Sequence, residues 1–250
     1  MTTSFLHNGV TGHRGNPEEC PQNTLPGFQN AMDMGADWLE LDVHRSRDGK
    51  LMVIHDADTE YVTGEKHLIA ETDSAALQRL NVAAYFNRKT GGNRFEPIPF
   101  LEDVLALVKT QRRTRLSIQP KMDCVEEIVQ LLREWHMEEY AGFNDGCLGL
   151  MIKAKTLLPQ AHIFWDTDGS NEIETDVETA RKYGFGSMVV YYENLTREKV
   201  AKINAAGLES GAWNVNAVAD LERLLDWGVY RIYSDRPRVF MNLKKERHLI

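Results

Sequence analysis

The stretch LELDVHRSRDGKLMVIHD, residues 39–56, contains two strand-like pieces on either side of an Asp-Gly dipeptide. Apolar residues in this stretch alternate with acids and histidines. A purely structural hairpin does not require so many ionisable side chains. The segment between Val43 and Leu51 is too short for a crossover helix, because two parallel strands need a connection of about a dozen residues or more. The two pieces therefore form either a hairpin or two successive barrel strands joined by an extended loop.

In the hairpin, Asp48 and Gly49 make a two-residue turn, which places Asp42 directly opposite His55. Directly opposed residues have Cβ atoms roughly 5 Å apart. Both the hairpin and the barrel-strand alternative allow Glu40, Asp42 and His55 to converge.

Outside this stretch, apolar segments alternate with amphipathic ones along most of the chain. Helical periodicity is present in residues 24–35, 101–110, 125–136, 172–183, 197–206 and 218–227. The strand candidates are NGVTGH, WLELDV, LMVIH, RLSIQ, CLGLMI, HIFWD, SMVVYY, LESGAWNV and YRIYS. Alternating strands and helices predict a parallel sheet, and at 250 residues the leading closed form is a TIM (β/α)8 barrel.

Two features depart from a regular barrel. Residues 57–98 contain no clear strand–helix unit and end in the proline-flanked FEPIPF, which predicts a small insertion on the C-terminal rim. The nine strand candidates also exceed the eight that a barrel needs, and a hairpin at residues 39–56 would account for the surplus. We expect residues 1–250 to form a single barrel domain that carries this insertion.

Composition and charge exclude several classes of protein. The net charge of -8 argues against a nucleic-acid or anionic-membrane partner, because neither attracts an acidic surface. Three cysteines without a C-x-x-C pair predict neither a disulfide framework nor a structural zinc site. The sequence shows no signal peptide and no apolar run of the ~18 residues that a membrane span needs. We therefore expect a cytoplasmic protein that binds a small molecule, with an oligomeric state that the sequence leaves open.

Glu40 and Asp42 are the first candidates for a functional site. They lie two residues apart on one strand, so both carboxylates point to the same face, while Leu39, Leu41 and Val43 point to the other. Adjacent buried carboxylates repel each other unless something positive lies between them, and a hard divalent cation is the usual partner. The alternative is an exposed edge strand with solvated acids, which the apolar flanking residues disfavour.

Two histidines follow strand candidates. His13 lies in TGHRGN between glycines that allow a tight turn, and the neighbouring Arg14 offers a planar fork suited to phosphate oxygens. His55 ends VIHD beside Asp56. A lone histidine at a strand end is most often structural, but two in such settings predict an acid and a base.

Taken together, HRG, PQNT, LELDV, DGK, VIHD, LSIQPK, WNVN and SDRP, in this order, resemble the glycerophosphodiester phosphodiesterase family. The resemblance runs from Gly12 to Pro237. It implies a TIM barrel that uses one divalent metal ion, Mg²⁺ or Ca²⁺ with Mn²⁺ as a further candidate. The implied reaction is hydrolysis of a glycerophosphodiester to glycerol 3-phosphate and an alcohol, and a related polyol or sugar phosphodiester is a further candidate substrate.

The resemblance also implies residue roles. His13 and His55 would be the catalytic pair, and Arg14 and Lys121 would bind the phosphate. Trp213 would line the substrate pocket. The metal ligands would be Glu40, Asp42 and Gln119.

The chain departs from the family pattern at two acids. The third metal ligand of the family is a glutamate, whereas SIQPK places Gln119 there, and the family motif Pro-Glu-Asn-Thr contains Gln22 here. An amide oxygen binds a hard cation without adding charge, so we expect a weaker metal site. Two rival functions follow: a lyase-type reaction that releases a cyclic phosphate, and a phosphodiester-binding protein that has lost turnover. Neither the leaving alcohol nor the acid and base roles of the histidines follow from the sequence.

Overall fold

The computed structural model describes residues 4–250 and contains a closed barrel of parallel strands. The parallel strands are β1 (Val10–Gly12), β2 (Trp38–Arg45), β4 (Arg115–Pro120), β5 (Ala141–Asp145), β6 (His162–Thr167), β7 (Ser187–Tyr191), β8 (Glu209–Trp213) and β9 (Arg231–Ser234). Strand β1 pairs with β2 on one side and with β9 on the other, which closes the sheet on itself. The short strand β3 (Leu51–Val53) pairs antiparallel with β2 and is additional to these eight. The predicted TIM (β/α)8 barrel is confirmed.

In the part of the chain that the structure describes, seven helices connect the parallel strands, and an eighth follows the last strand. They are α1 (Leu25–Met34), α5 (Leu101–Val108), α6 (Val125–Glu134), α7 (Leu148–Leu157), α8 (Ile173–Lys182), α9 (Arg197–Ala205), α10 (Val218–Asp226) and α11 (Pro237–Glu246). Their apolar faces pack against the outward-facing strand residues to form the main core. Within residues 4–250, no helix combines the length and the apolar character that crossing a bilayer requires.

The hairpin at residues 39–56 exists, but its predicted register is wrong by one residue. Val43 pairs with Val53, and the amide of Ile54 donates to the carbonyl of Asp42 at 3.0 Å. The turn contains three residues, because the amide of Ser46 donates to the carbonyl of Lys50. Three-residue hairpin loops typically place a left-handed residue at their end, and Gly49 at φ 84° takes that position.

The predicted strand CLGLMI is wrong, because these residues begin helix α7. The fourth barrel strand is instead the preceding segment AGFND, β5. A Cβ on its Gly142 would lie 2.6 Å from the carbonyl oxygen of His162, so the close approach of β6 excludes a larger residue there. A short apolar run does not by itself distinguish a strand from the start of a helix.

The predicted insertion contains three short helices, α2 (Glu60–Thr63), α3 (Ser74–Leu77) and α4 (Ala84–Thr90), with one 3-10 turn between the first two. Its apolar side chains form a separate small core with Met52 and Ile54 of the β3 segment. The insertion follows the C-terminal end of β3 and lines the mouth of the barrel, as its predicted position on the rim requires.

Candidate active site

Strand β2 brings two carboxylates into the barrel. Glu40 and Asp42 are 1% and 0% exposed, while Leu39, Leu41 and Val43 pack in the main core on the other face. The alternative of solvated acids on an exposed edge is therefore wrong. Burial, together with the charge of Asp42, raises the pKa of Glu40 to about 7. A positive charge beside the pair would lower the free-energy cost of burying two ionised carboxylates.

Two cations and an amide surround Asp42. Arg14 Nε lies 3.4 Å from Asp42 Oδ2, and Lys121 Nζ lies 3.7 Å from Oδ1. Asn23 Nδ2 donates to Oδ2 at 2.8 Å. Among the described residues, Oδ1 has no hydrogen-bond donor although it is buried. One oxygen of this carboxylate therefore remains available to a ligand.

The HRG motif forms a tight turn after β1. Arg14 takes a left-handed conformation with φ 51°, and its amide donates to Glu40 Oε2 at 2.9 Å. A Cβ on Gly12 would lie 2.4 Å from the carbonyl oxygen of Gly15, so only glycine fits there. The guanidinium of Arg14 donates to Gln22 Oε1 at 2.7 Å. The turn thus aims both the backbone and the side chain of Arg14 at the acids of β2.

His13 is held by a carboxylate from the last strand. Its Nδ1 lies 2.6 Å from Asp235 Oδ1, and because a carboxylate only accepts, Nδ1 carries the proton. Asn214 Nδ2 donates to Nε2 at 3.3 Å, and Glu40 Oε2 lies 4.0 Å from the same nitrogen. Burial would raise the pKa of Asp235, but the hydrogen bond from His13 leaves that pKa below its usual value. Nε2 is therefore the ring nitrogen that Asp235 leaves available.

His55 has a similar arrangement. Its Nδ1 lies 2.7 Å from Asp56 Oδ1, and Nε2 lies 3.3 Å from Lys121 Nζ, which can only donate. Burial lowers the pKa of His55, and Arg14 and Lys121 act in the same direction against the attraction of Asp42. The buried His44 donates from Nε2 to the carbonyl of His55 at 3.0 Å. His55 is therefore held as a neutral imidazole.

Gln119 lies between strands β2 and β5. Its Oε1 accepts from Lys121 Nζ at 3.3 Å, and its Nε2 donates to Asp145 Oδ2 at 3.0 Å. The contact with Asp145 determines which end of the amide faces the cavity, because a carboxylate binds only the NH₂ end. Trp213, at the end of β8, donates to the carbonyl of Thr167 and forms part of the opposite wall.

These side chains meet at one cavity of about 360 Å³ in the barrel mouth. The predicted residues that line it are His13, Arg14, Glu40, His55, Gln119, Lys121 and Trp213. Asp42 is fully buried beside them. All eight residues selected from the sequence are thus brought together at the carboxyl ends of the strands, where TIM-barrel enzymes place their active sites.

The donor set suits a divalent cation, although only two of the three predicted ligands, Glu40 and Asp42, are acids. Within residues 4–250, no three histidine, cysteine or acidic side chains are grouped as a metal site. The unpartnered oxygen of Asp42 and the raised pKa of Glu40 both suit a cation. The third ligand would then be the neutral amide of Gln119, and the nearby Arg14 and Lys121 already balance part of the charge on Asp42.

Several site residues did not emerge from the sequence analysis. Asp235 and Asn214 lie in the quoted motifs SDRP and WNVN, whose positions after strands were the available signal. Asp145 lies in the strand that was assigned to the wrong segment. Asp166 also lies on the cavity wall, where desolvation raises its pKa well above the usual value. Its partner is Asn144, which donates to it at 3.2 Å.

Comparisons with known proteins agree with this site. The Glycerophosphoryl diester phosphodiesterase family model matches residues 13–239. A glycerophosphodiester phosphodiesterase of Caldanaerobacter subterraneus is 26% identical over 244 residues, covering 95% of this chain and 98% of the relative. Another, from Bacillus altitudinis, is 26% identical over 255 residues and covers 98% and 99%.

A solved structure supports the fold. The phosphodiesterase of Oleispira antarctica, in complex with the product sn-glycerol-3-phosphate, superimposes with a TM-score of 0.82 at 21% identity, covering 94% of this chain and 96% of that chain. The family match includes both histidines, Arg14 and the two acids of β2. This chain belongs to the glycerophosphoryl diester phosphodiesterase family.

Proposed function

We propose that this protein hydrolyses a glycerophosphodiester, or a related polyol or sugar phosphodiester, to a phosphomonoester and an alcohol. The observation that carries the proposal is the pair of histidines at one cavity, each with its Nδ1 held by an aspartate. Arg14 and Lys121 supply positive charge between them. The activity in the names of the relatives supports the same reaction class.

We further propose that one divalent cation, Mg²⁺, Ca²⁺ or Mn²⁺, is held by Glu40, Asp42 and Gln119. When bound, such a cation neutralises phosphate oxygens and so stabilises the charge of the transition state. Arg14 and Lys121 do the same from the protein side, since preorganised charge is the largest contribution to phosphoryl transfer.

The surroundings of the two histidines support different roles for them. His55 lies beside Lys121 and is kept neutral, so its Nε2 can remove a proton from the attacking oxygen. His13 has acidic neighbours instead: its Nδ1 is held by Asp235, and its Nε2 lies 4.0 Å from Glu40. With His55 as the base, His13 is left to protonate the leaving alcohol.

The test is a panel of phosphodiesters assayed with and without added Mg²⁺, Mn²⁺ and Ca²⁺, with products identified by phosphorus NMR. We expect a phosphomonoester and a free alcohol, formed only with added metal. A cyclic phosphate as the final product would establish the lyase-type reaction. Binding of diesters without cleavage at any metal concentration would establish a binding protein.

Glu40→Ala and Asp42→Ala test the metal assignment. Each substitution removes a charged ligand, so we expect metal-dependent activity to be lost while circular dichroism reports an intact fold. Near-normal turnover in either variant would contradict the assignment. Glu193→Ala, which removes an acid outside the cavity lining, serves as the matched control.

A further inference from the structure

A second cavity of about 590 Å³ lies outside the first, and the two share His13, Arg14 and His55. Its outer wall comes from the insertion at residues 57–98. The proposed hydrolysis places the phosphate between the two histidines but assigns no partner to this outer cavity. A diester has a substituent on each side of its phosphate, so one of them must extend into this space.

The wall of the outer cavity is aromatic. Tyr61 and Tyr85 lie with ring centroids 4.6 Å apart and planes inclined by 31°. They are 50% and 38% exposed, although both belong to ordered helices. Val62 and Phe86 extend the same surface. Exposed tyrosine rings of this kind offer an apolar face for stacking and a hydroxyl for hydrogen bonding.

The charges of the outer cavity are balanced. Its lining contains three acids, Glu18, Asp56 and Asp235, and three bases, Arg14, Lys89 and Arg236. With neutral histidines these charges cancel, so the lining carries no excess charge that would select an ammonium group or an anionic group. An uncharged ligand suits such a cavity.

We propose that the outer cavity binds the alcohol that the reaction releases, and that this alcohol is an uncharged ring-shaped polyol, a sugar or a cyclitol, stacked on Tyr61 and Tyr85. This inference rests on the proposed hydrolysis. The two tyrosines belong to the insertion and make none of the hydrogen bonds that hold the histidines. They can therefore determine which alcohol is accepted without taking part in the hydrolysis.

The experiment compares kcat/KM for three diesters of glycerol phosphate, carrying inositol, ethanolamine and choline. We expect the wild type to prefer the inositol diester on the order of tenfold or more. The double variant Tyr61→Ala/Tyr85→Ala should lose about tenfold for the inositol diester, as two stacking contacts of about 0.7 kcal/mol each would give, and little for the other two. Tyr61→Phe keeps the ring and should keep the preference. Phe95→Ala removes a 59% exposed aromatic of the same insertion outside the cavity lining and is the matched control.

Lys89→Glu tests the charge argument independently. The new carboxylate should shift the preference toward the choline and ethanolamine diesters, mainly through a lower KM. A wild type that prefers the choline diester, or tyrosine variants that lose equally on all three diesters, would overturn the inference. Cleavage without discrimination would also overturn it while leaving the proposed hydrolysis intact. Failure to cleave any diester with any metal would instead reject the proposed hydrolysis itself.

Discussion

At the scale of single residues, the active site repeats one arrangement twice. A carboxylate holds Nδ1 of each histidine and leaves Nε2 at the cavity, but Asp235 comes from the far end of the chain and Asp56 is the adjacent residue. The orientation of the ring is therefore fixed by tertiary contact for His13 and by local sequence for His55. The different charges around the two rings are the basis of the different roles that we propose for them.

We predict that His13→Ala and His55→Ala each lower kcat by a factor on the order of 10² or more, the usual contribution of a positioned acid or base. Because the pKa of His55 is lowered, the ring stays neutral at pH values below the usual pKa of a histidine. Activity should therefore extend to these lower pH values. Steady-state kinetics across pH on both variants and the wild type provide the measurement. Two small effects that add in the double variant would indicate structural histidines.

Gln119 provides a second prediction. Gln119→Glu adds a negative charge to the proposed metal site and should tighten metal binding, because hard cations respond to the charge of their ligands. The new carboxylate would also lie near Asp145, which now accepts a hydrogen bond from the amide at 3.0 Å. Repulsion between the two acids should lower the melting temperature without metal, and added metal should restore it.

Calorimetric titration of metal into wild type, Gln119→Glu and Gln119→Glu/Asp145→Asn measures these effects. The double variant should bind metal at least as tightly as Gln119→Glu, without its loss of stability in the absence of metal. Asp145→Asn alone is the control, since its amide oxygen still accepts from Gln119. Equal affinities in wild type and Gln119→Glu would mean that residue 119 does not reach the metal.

At the scale of secondary-structure elements, the PQNT motif joins a helix to the site. Thr24 caps α1 by accepting from the amide of Gly27, while its own hydroxyl donates to the carbonyl of Pro21. The preceding Asn23 is left-handed at φ 53° and donates to Asp42. The start of α1 thus fixes one of the partners of the buried acid.

Thr24→Ala should destabilise the protein by about 1 kcal/mol, the typical cost of losing an N-cap side chain. Thr24→Ser keeps the hydroxyl and should lose much less. Urea unfolding of the three proteins measures the difference. Equal midpoints for Thr24→Ala and wild type would show that the cap contributes nothing to stability.

At the scale of the whole molecule, a buried ionic network lies at the end of the barrel opposite the active site. Arg231 of β9 pairs with Asp37, which precedes β2, and with Glu209 of β8, and it donates to Thr11 of β1. It therefore links the strands on both sides of the point where the barrel closes. His162 joins the network by donating to Ser187, which in turn donates to Glu209.

The lowered pKa of His162 predicts that the free energy of unfolding decreases at acidic pH. Burial lowers its pKa to about 4, with Arg231, Arg115 and Lys155 acting in the same direction and Glu209 against it. In the unfolded chain a histidine titrates near 6.5, so between the two values only the unfolded state binds the proton. Stability should fall as pH falls from about 6.5 to about 4, by up to about 3 kcal/mol. His162→Gln cannot titrate, so denaturant unfolding over this range should show a weaker pH dependence for the variant; parallel curves would contradict the prediction.

The sequence by itself determined the barrel and most of the active site. Alternation of apolar and charged residues in β2 identifies which side chains face the barrel interior, because the side-chain period of a strand does not depend on its neighbours. The turn residues around His13 and the strand end at His55 are likewise local features. Gln119, Lys121 and Trp213, in contrast, were predicted only through the family resemblance. All eight predicted residues lie at or beside one cavity.

The tertiary structure alone decided pairing and register. The hairpin differs by one residue from the prediction, because an Asp-Gly dipeptide suits both a two-residue turn and a three-residue loop ending in left-handed Gly49. Strand β5 was not predicted because its sequence lacks apolar periodicity. Gly142 has no side chain, since the neighbouring strand leaves no room for one, and Asn144 and Asp145 are polar residues that bind other side chains of the site. The partnership of Asp235 with His13 spans 222 residues, and only closure of the barrel between β1 and β9 brings those two side chains together.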